Sequence, residues 1–579
     1  MENEYTIRIG GAAGQGMQFI GNLLAKCFSD AGFHTFTHQD YMSRIKGGHN
    51  FYQLRIANHP VASSRNTVDI LLALNRETVE IHARDLNKNG LILYDPVTLK
   101  YHYSQPEYVP IPFSDIITDL DLNQVMTSSV AIGAILGSIG LETVLDFAKI
   151  IHKFIPVAIE GVIKSQTSAA QAGLDFVLQN IDSSKRFPPI QLNKPKKKRL
   201  LLNGNQAIGI GALISGCKFY SAYPMTPATS IMLYLISKAE KHGVIVEQAE
   251  DEISAINMAL GASYAGVRAM TGTSGGGFAL MTEGVSLAGI TETPIVIAEV
   301  QRPGPATGLP TRTEQSDLFF VIFGGHGEFP RVVFTPGTPE QALFLTNKAF
   351  HLAEKYQIPV IIQSDQYLAD SQWTFDDLNT ELLQYEDFRL RGSELIQTES
   401  YKRYAYTENG VSPLAIPGAS KHLVVFDSDE HDQDGHIIED AKTRNMMVEK
   451  RYHRKLPHIK QEITPPSFFG DKNPDIILAG YGSTFGVIQE AVEHLANKHK
   501  IAMLHFSEVY PFPMTNVFNY LELLNNAKQT ICIENNVSGQ FAQLMRMETG
   551  FEFETKINKF DGRHFGLDYL LGEINAHLR

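Results

Sequence analysis

The chain is 579 residues long, enough at roughly 150 residues per domain for about three or four folding units. Hydrophobic residues account for 43% and charged residues for 20%, which excludes wholesale disorder and collagen-like repetition. A net charge of −13, from 50 Lys and Arg against 63 Asp and Glu, excludes a nucleic-acid footprint spread along the chain.

The opening MENEYTIRIGG has acids before a strand-like run and lacks the basic n-region of a signal peptide. Tyr5 to Ile9 alternates as a strand, GGAAGQGM follows, Phe19 to Phe28 has helical i, i+4 spacing, and His34 to Thr37 reads as a second strand. This order opens a parallel α/β domain, and VDILLALN and GLILYDP continue it. The apolar stretch Val130 to Leu141 is Gly-rich and shorter than the roughly 18 to 20 residues of a membrane span, so a cytoplasmic chain without membrane association is expected. After Asn180 the rhythm thins into SSKRFPPIQLNKPKKKR, whose basic run Lys194 to Arg199 reads as a solvated interdomain linker rather than a localisation signal. The first domain is therefore set at 1–185 and the linker at 186–199.

From Leu200 the α/β rhythm restarts. GNQAIGIGALISG is helical, KFYSAYP runs from strand into turn, a helix is expected near Ser230 to Lys241, and VIVEQAEDE follows. RAMTGTS, TPIVIAEVQ, RVVFTP and IPVIIQSD read as buried strands of a doubly wound unit at 200–369. Residues 370–470 lose the rhythm and are expected to be an irregular connecting segment. PDIILAGYGSTFGVIQEAVEHL then opens a third unit at 471–579 as strand, Gly turn and helix.

The first glycine loop, with Gly11, Gly14 and Gly16, fails the dinucleotide spacing, since position 19 is Phe and position 13 is Ala. A structural turn and a seat for an anionic group both fit it, and MSRIKGGHNF, with Arg44 and Lys46, leaves the same two readings. SDEHDQDGHIIED sets Glu430, Asp432, Asp434 and Gly435 at calcium-loop offsets, but Ala441 holds the twelfth position. It reads as a solvated acidic loop, with His431 and His436 left as donors for some other metal, and no metal site is assigned. The three cysteines, Cys27, Cys217 and Cys532, lack C-x-x-C spacing and cannot by themselves build a four-cysteine zinc or iron–sulfur centre. SAYPMTP stands at the carboxyl end of a strand, where open α/β sheets bind ligands. In EQAEDEISAINMALGASYAG, Glu250 and Asp251 suit a helix N-terminus, and Glu252 opens a face of small residues.

YPMTP (Tyr223–Pro227), EDEISAINMALGASYAG (Glu250–Gly266), TSGGGFALM and RPGPATGLPTRTEQSDL together resemble the α subunit of the thiamine diphosphate-dependent 2-oxoacid:ferredoxin oxidoreductases. GGAAGQG with MSRIKGGHN is similar to the family's γ subunit, here fused ahead of α, and LAGYGSTFG with FDGRHFG resembles its transketolase C-terminal-like domain. The resemblance implies an α/β fold of three parts: a γ-like domain, a pyrimidine-binding doubly wound domain and the transketolase-like domain. It implies CoA-dependent oxidative decarboxylation of a 2-oxoacid, 2-oxoglutarate to succinyl-CoA as first choice, with pyruvate or a branched-chain 2-oxoacid as the alternative. Glu252 would meet the cofactor's aminopyrimidine, and a carboxylate there favours the imino tautomer that takes the reactive proton. Thr226 and Arg312 would bind the 2-oxoacid, while Tyr223, Pro224 and the glycines Gly11, Gly14 and Gly16 would serve cofactor binding. No GDG occurs in the sequence, so the diphosphate, its Mg2+ and an iron–sulfur cluster are expected on a β subunit, in an αβ or (αβ)2 assembly that passes electrons to ferredoxin. From a different class, a nucleotide- or CoA-binding regulatory module keeps the glycine loops as scaffolding and makes Glu252 structural.

Overall fold

The structure, a computed structural model, describes residues 4–44, 47–141, 151–152, 160–192, 198–391, 395 and 400–578. The chain divides into two compact units, one made of 1–202, 370–377 and 565–579, the other of 203–369 and 378–564. None of the helices among the described residues is long and apolar enough to cross a membrane.

In the first unit β1 (Glu4–Ala13) leads through the glycine turn into α1 (Met17–Ala31), then β2 (His34–Asp40), β3 (Gly47–Ala57), β4 (Val68–Ala73), β5 (Leu86–Tyr94) and β6 (Tyr108–Pro110). The sheet runs β6-β5-β4-β1-β3-β2, followed by strands Gln372–Phe375 and Leu200–Asn203. β1, β4, β5 and β6 are parallel, as the opening rhythm implies, but β3 lies antiparallel between β1 and β2. The cause is chain length: a parallel crossover needs about a dozen residues or more, and only 41–46 separate β2 from β3. MSRIKGGHNF is thus half loop and half strand, and Lys46 lies outside the described residues.

The apolar stretch from Val130 forms α2 (Thr127–Ser138), every residue of which from Ser129 on is buried. It meets α3 (Glu160–Asn180) backbone to backbone. A Cβ on Gly133 would lie 1.8 Å from the Ala170 carbonyl oxygen, and one on Gly173 would lie 2.1 Å from that of Val130. The expected linker is solvated only in part: Pro188, Pro189, Gln191 and Lys198 are exposed, but Phe187 packs on Tyr5, and Ile190 joins the core. Residues 194–197 of its basic run lie outside the described residues, while Lys198 and Arg199 pair with Asp30 and Asp376.

The second unit contains α4 (Gly204–Ile214), β7 (Cys217–Ala222), α5 (Thr229–Ile236), β8 (Ile245–Gln248), α6 (Glu252–Tyr264), β9 (Arg268–Thr273) and α7 (Gly275–Ile290). There follow β10 (Ile295–Gln301), α8 (Leu318–Phe323), β11 (Val332–Phe334), α9 (Pro339–Tyr356) and β12 (Pro359–Asp365). The one helix expected at Ser230 to Lys241 is α5 plus a separate turn at Ala239–His242. β10 and β12 are buried at every residue, as suits strands covered on both faces. Their parallel sheet runs β11-β12-β10-β9-β7-β8.

A second sheet of the same unit is built from β13 (Ser467–Gly470), β14 (Ile476–Tyr481), β15 (Ile501–Phe506), β17 (Gln529–Glu534) and β18 (Thr555–Asn558), in the order β13-β15-β14-β17-β18. The short strand β16 (Glu508–Tyr510), which follows β15, instead joins the larger sheet, antiparallel to β11. One core cluster runs through both sheets, from Ile256, Phe278 and Ile297 to Leu504, Phe506 and Phe541.

Candidate active site

In the larger sheet, β8 lies on one side of β7 and β9 on the other, so the connections leaving β7 and β9 diverge. Open α/β sheets bind ligands in the crevice such a reversal opens at the carboxyl ends of the strands. Four segments converge on this edge: Tyr223–Pro227 after β7, Asp251 and Glu252 after β8, Ser274 to Gly277 after β9, and Arg302 after β10.

Glu252 is the first residue of α6 and is only 3% exposed. Its Oε1 is buried with no hydrogen-bond partner, a costly state for a carboxylate that no bound group completes. Asp251, just before it, caps the helix by accepting the Ser254 N–H at 2.7 Å, whereas Glu250 is exposed. The carboxylate lies against the first turn of α7. A Cβ on Gly277 would sit 2.7 Å from both Cγ and Oε1 of Glu252 and 2.0 Å from Thr273 Oγ1, so only glycine fits there. Ser274, the N-cap of α7, makes no capping bond, and its buried Oγ is also without a partner.

Arg302 links Glu252 to the turn after β7. Its Nη1 donates to the Thr226 carbonyl at 2.7 Å. Burial holds its pKa below the ordinary arginine value, while the nearby Glu252 charge pulls the other way. Asn205 fixes the same turn by donating to the Pro227 carbonyl at 2.9 Å, and Met225 Sδ faces Thr273 Oγ1 at 3.9 Å. Thr226 and Glu252 are thus brought to one place, with Pro224 half-buried in the same turn as Thr226 and Tyr223 exposed. Arg312 stands at the far end of the loop that begins at Arg302, with its stem over Gly562.

Behind the α7 turn lies a pair of acids, Glu299 buried and Asp317 half-buried. Glu299 is fully buried on β10, and Asp317 Oδ2 would lie 2.3 Å from a Cβ on Gly275. Burial raises both pKa values, that of Asp317 to about 6, and the Asp317 charge adds to the rise at Glu299. Gln363 donates to Glu299 Oε2 at 3.2 Å, and the Asp317 N–H donates to Gln301 Oε1 at 2.9 Å.

Thr273, Ser274 and Gly277 lie in TSGGGFALM, and Arg302 and Asp317 in RPGPATGLPTRTEQSDL, but the sequence assigned none of them a role, and Glu299 lies outside both motifs. A run of glycines directly after a strand on the same sheet edge as YPMTP was the available signal for the α7 turn. Elsewhere, the acidic loop 429–436 has Glu430 engaged by Arg451 at 2.7 Å and by Arg444. Among the described residues no group of three or more His, Cys, Asp or Glu could hold a metal ion. In the first unit Gly14 and Gly16 have left-handed backbones and Gly16 stands at the start of α1. Two cavities adjoin this turn. One of about 250 Å³ is lined by Gln15, Asp95 and Ser128, and one of about 410 Å³ by Gly14, Gly16, Arg44 and Asn50.

The site is a buried acid at the reversal edge of a parallel α/β sheet, and comparison with known proteins gives its class. The family model described as pyruvate flavodoxin/ferredoxin oxidoreductase, thiamine diP-bdg matches residues 210–450, and that of pyruvate ferredoxin/flavodoxin oxidoreductase matches residues 6–176. A 2-oxoacid:ferredoxin oxidoreductase subunit alpha from Sulfolobus sp is 33% identical, over 97% of this chain and 95% of the relative. The 2-oxoglutarate oxidoreductase subunit KorA of Mycobacterium tuberculosis is 27% identical, over 99% and 91%. Among solved structures, the 2-oxoglutarate:ferredoxin oxidoreductase of Magnetococcus marinus with 2-oxoglutarate, coenzyme A and succinyl-CoA bound superposes with a TM-score of 0.90, at 29% identity and over all of both chains. The chain belongs to the alpha subunits of the 2-oxoacid:ferredoxin oxidoreductases.

Proposed function

We propose that this chain oxidatively decarboxylates 2-oxoglutarate to succinyl-CoA and CO2, holding the aminopyrimidine half of thiamine diphosphate while a partner β subunit holds the diphosphate half. When bound, the cofactor supplies the carbon nucleophile and the electron sink of the reaction. The observation that carries this reading is Glu252: a buried carboxylate with an orphaned oxygen, at the carboxyl edge of a parallel sheet, facing a turn that only glycine can make. Its side chain would accept a hydrogen bond from the aminopyrimidine and exchange a proton with it. Arg302 would hold the Thr226 turn against the substrate, and the planar guanidinium of Arg312 suits bidentate binding of the 2-oxoacid carboxylate. Tyr223 and Pro224 would line the cofactor, and Gly11, Gly14 and Gly16 would seat an anionic group of a second ligand such as CoA.

Two features support a partner chain. Ile253 and Met258 on α6 and Leu280 on α7 are large apolar side chains left exposed on the helices that present Glu252. The three cysteines are buried and free, and four thiolates are needed for a common iron–sulfur cluster, so electrons bound for ferredoxin would leave through another subunit. The names of the Mycobacterium and Magnetococcus relatives favour 2-oxoglutarate, whereas the family models carry pyruvate in theirs, and this keeps pyruvate as the second reading.

The test is turnover by the reconstituted complex with 2-oxoglutarate, pyruvate and 2-oxoisovalerate, measured with Glu252→Gln in parallel. Glu252→Gln is expected to lower turnover by on the order of 10²- to 10³-fold with the complex still assembled. Preference for pyruvate would overturn the substrate, and a fully active Glu252→Gln would overturn the site.

A further inference from the structure

The loop that carries Arg312 is held against the smaller sheet of its own unit, and one residue contributes both side-chain and backbone bonds to the attachment. Gln315 is 1% exposed and takes part in five hydrogen bonds. Its Nε2 donates to the Tyr481 carbonyl at 3.0 Å, and its Oε1 accepts the Asn535 N–H at 3.0 Å. Its backbone N–H donates to the Asn535 carbonyl at 2.7 Å. Its own carbonyl accepts from Tyr481 Oη and Asn536 Nδ2, both at 3.0 Å.

Asn535 has a second set of partners. Its Nδ2 donates to the carbonyls of Lys559 at 2.7 Å and Arg563 at 3.1 Å, the ends of the loop that contains Gly562. Gly562 is the residue over which Arg312 lies: a Cβ there would come within 3.4 Å of Arg312 Cβ, and the Gly562 carbonyl accepts the Thr313 N–H at 3.4 Å. Asn535 therefore grips the Arg312 loop through Gln315 and, with its side chain, the floor beneath Arg312. Glutamine is matched to its slot, because the slot offers one acceptor and one donor at fixed positions.

We propose that Gln315 is a positioning residue that, through Asn535, registers Arg312 against Gly562 and so sets the affinity of the site for its 2-oxoacid. The inference rests on the reading that Arg312 binds the substrate carboxylate. A displacement of about 1 Å in such a group costs on the order of 10²-fold. Gln315→Glu is the informative change, because it keeps the shape and sets an oxygen against the Tyr481 carbonyl.

The experiment uses the full chain assembled with its partner subunits. KM for 2-oxoglutarate, kcat, bound thiamine diphosphate and the thermal midpoint are measured for Gln315→Glu, Arg312→Lys and the double variant. Gln315→Glu is expected to raise KM about 10- to 100-fold, with kcat and bound cofactor within about threefold of the parent. The double variant is expected to be no worse than Arg312→Lys alone, since Gln315 acts through Arg312. An unchanged KM, a loss of kcat and cofactor together with KM, or additive effects in the double variant would overturn the inference. If Arg312→Lys leaves KM unchanged, the Arg312 reading falls and takes the inference with it. If Arg312→Lys raises KM and Gln315→Glu does not, the inference alone falls. Should Gln315→Glu fail to assemble, Asn535→Ser, which keeps both backbone bonds to Gln315 but releases the Lys559–Arg563 loop, is expected to raise KM in the same way, and a parental KM there overturns the inference.

Discussion

Three acids follow one another at Glu250, Asp251 and Glu252, and backbone position alone separates their environments. Glu250 is exposed, Asp251 spends its carboxylate on the helix cap, and Glu252 enters the protein with one oxygen unanswered. The sequence showed the helix start and the small-residue face, but not the cap, which depends on a bond to Ser254. Asp317 offers a pH test of the same region. Burial lifts its pKa from 3.8 to about 6, so its neutral form is the one the fold prefers. The stability this group contributes is present below its unfolded pKa of 3.8 and is lost as pH rises through about 6. Asp317→Asn, neutral at every pH, is expected to gain on the parent by on the order of 2 kcal/mol between pH 4 and 7. Denaturant unfolding at both values checks this, and a difference independent of pH would show that Asp317 does not titrate in this range.

Among the elements, the first turn of α7 discriminates sharply between two adjacent glycines. Gly277→Ala would set a methyl against Thr273 and Glu252, whereas a Cβ on Gly276 meets nothing nearer than 3.9 Å. Gly277→Ala is expected to lose bound thiamine diphosphate and activity, and Gly276→Ala to keep the parental thermal midpoint or exceed it by about 0.5 kcal/mol of stability. Equal behaviour of the two in unfolding and cofactor binding would show that the close approach to Glu252 is not what excludes a side chain. The strands β10 to β12 were legible because continuous apolar runs leave few other readings. β3 was not, since KGGHNF begins with glycines and polar residues that alternate poorly. A further miss is the helical run from Ala441 through Lys455–Glu462 inside the segment expected to be irregular. Its inward face presents Lys450, Arg451 and Lys455 between the apolar Met447 and Ile459, so hydrophobic periodicity could not reveal it. At the site, the role of Arg302 was hidden for a similar reason, because its partner is the Thr226 carbonyl, a backbone atom with no sequence signature.

For the whole molecule, the buried charges of that helical run show what the connecting segment does. Lys450 at 2.5 Å and Lys455 converge on Glu292, and Arg403 donates to the Thr291 and Glu292 carbonyls at the end of α7. The paired cations hold the Glu292 carboxyl well below the usual carboxylate range. The helix whose first turn meets Glu252 is thus closed at its other end by side chains from 403 to 455. Linear reading places a boundary near residue 470, yet the apolar core continues across it, and β16 crosses back to pair with β11. The chain is therefore a poor candidate for dissection. Cleaved between 470 and 475, the upstream fragment would keep a raw strand edge at Val332–Phe334, and the downstream fragment would carry a strand with no sheet to join. Expressed separately, both fragments are expected to sediment; expressed together they are expected to recover a soluble pair, and a soluble, cooperatively melting fragment on its own would show that the crossing strand is dispensable. Heredity faces the same constraint as the experimenter: a gene for either sheet alone would encode an unpaired edge, so the two sheets are expected to be inherited together.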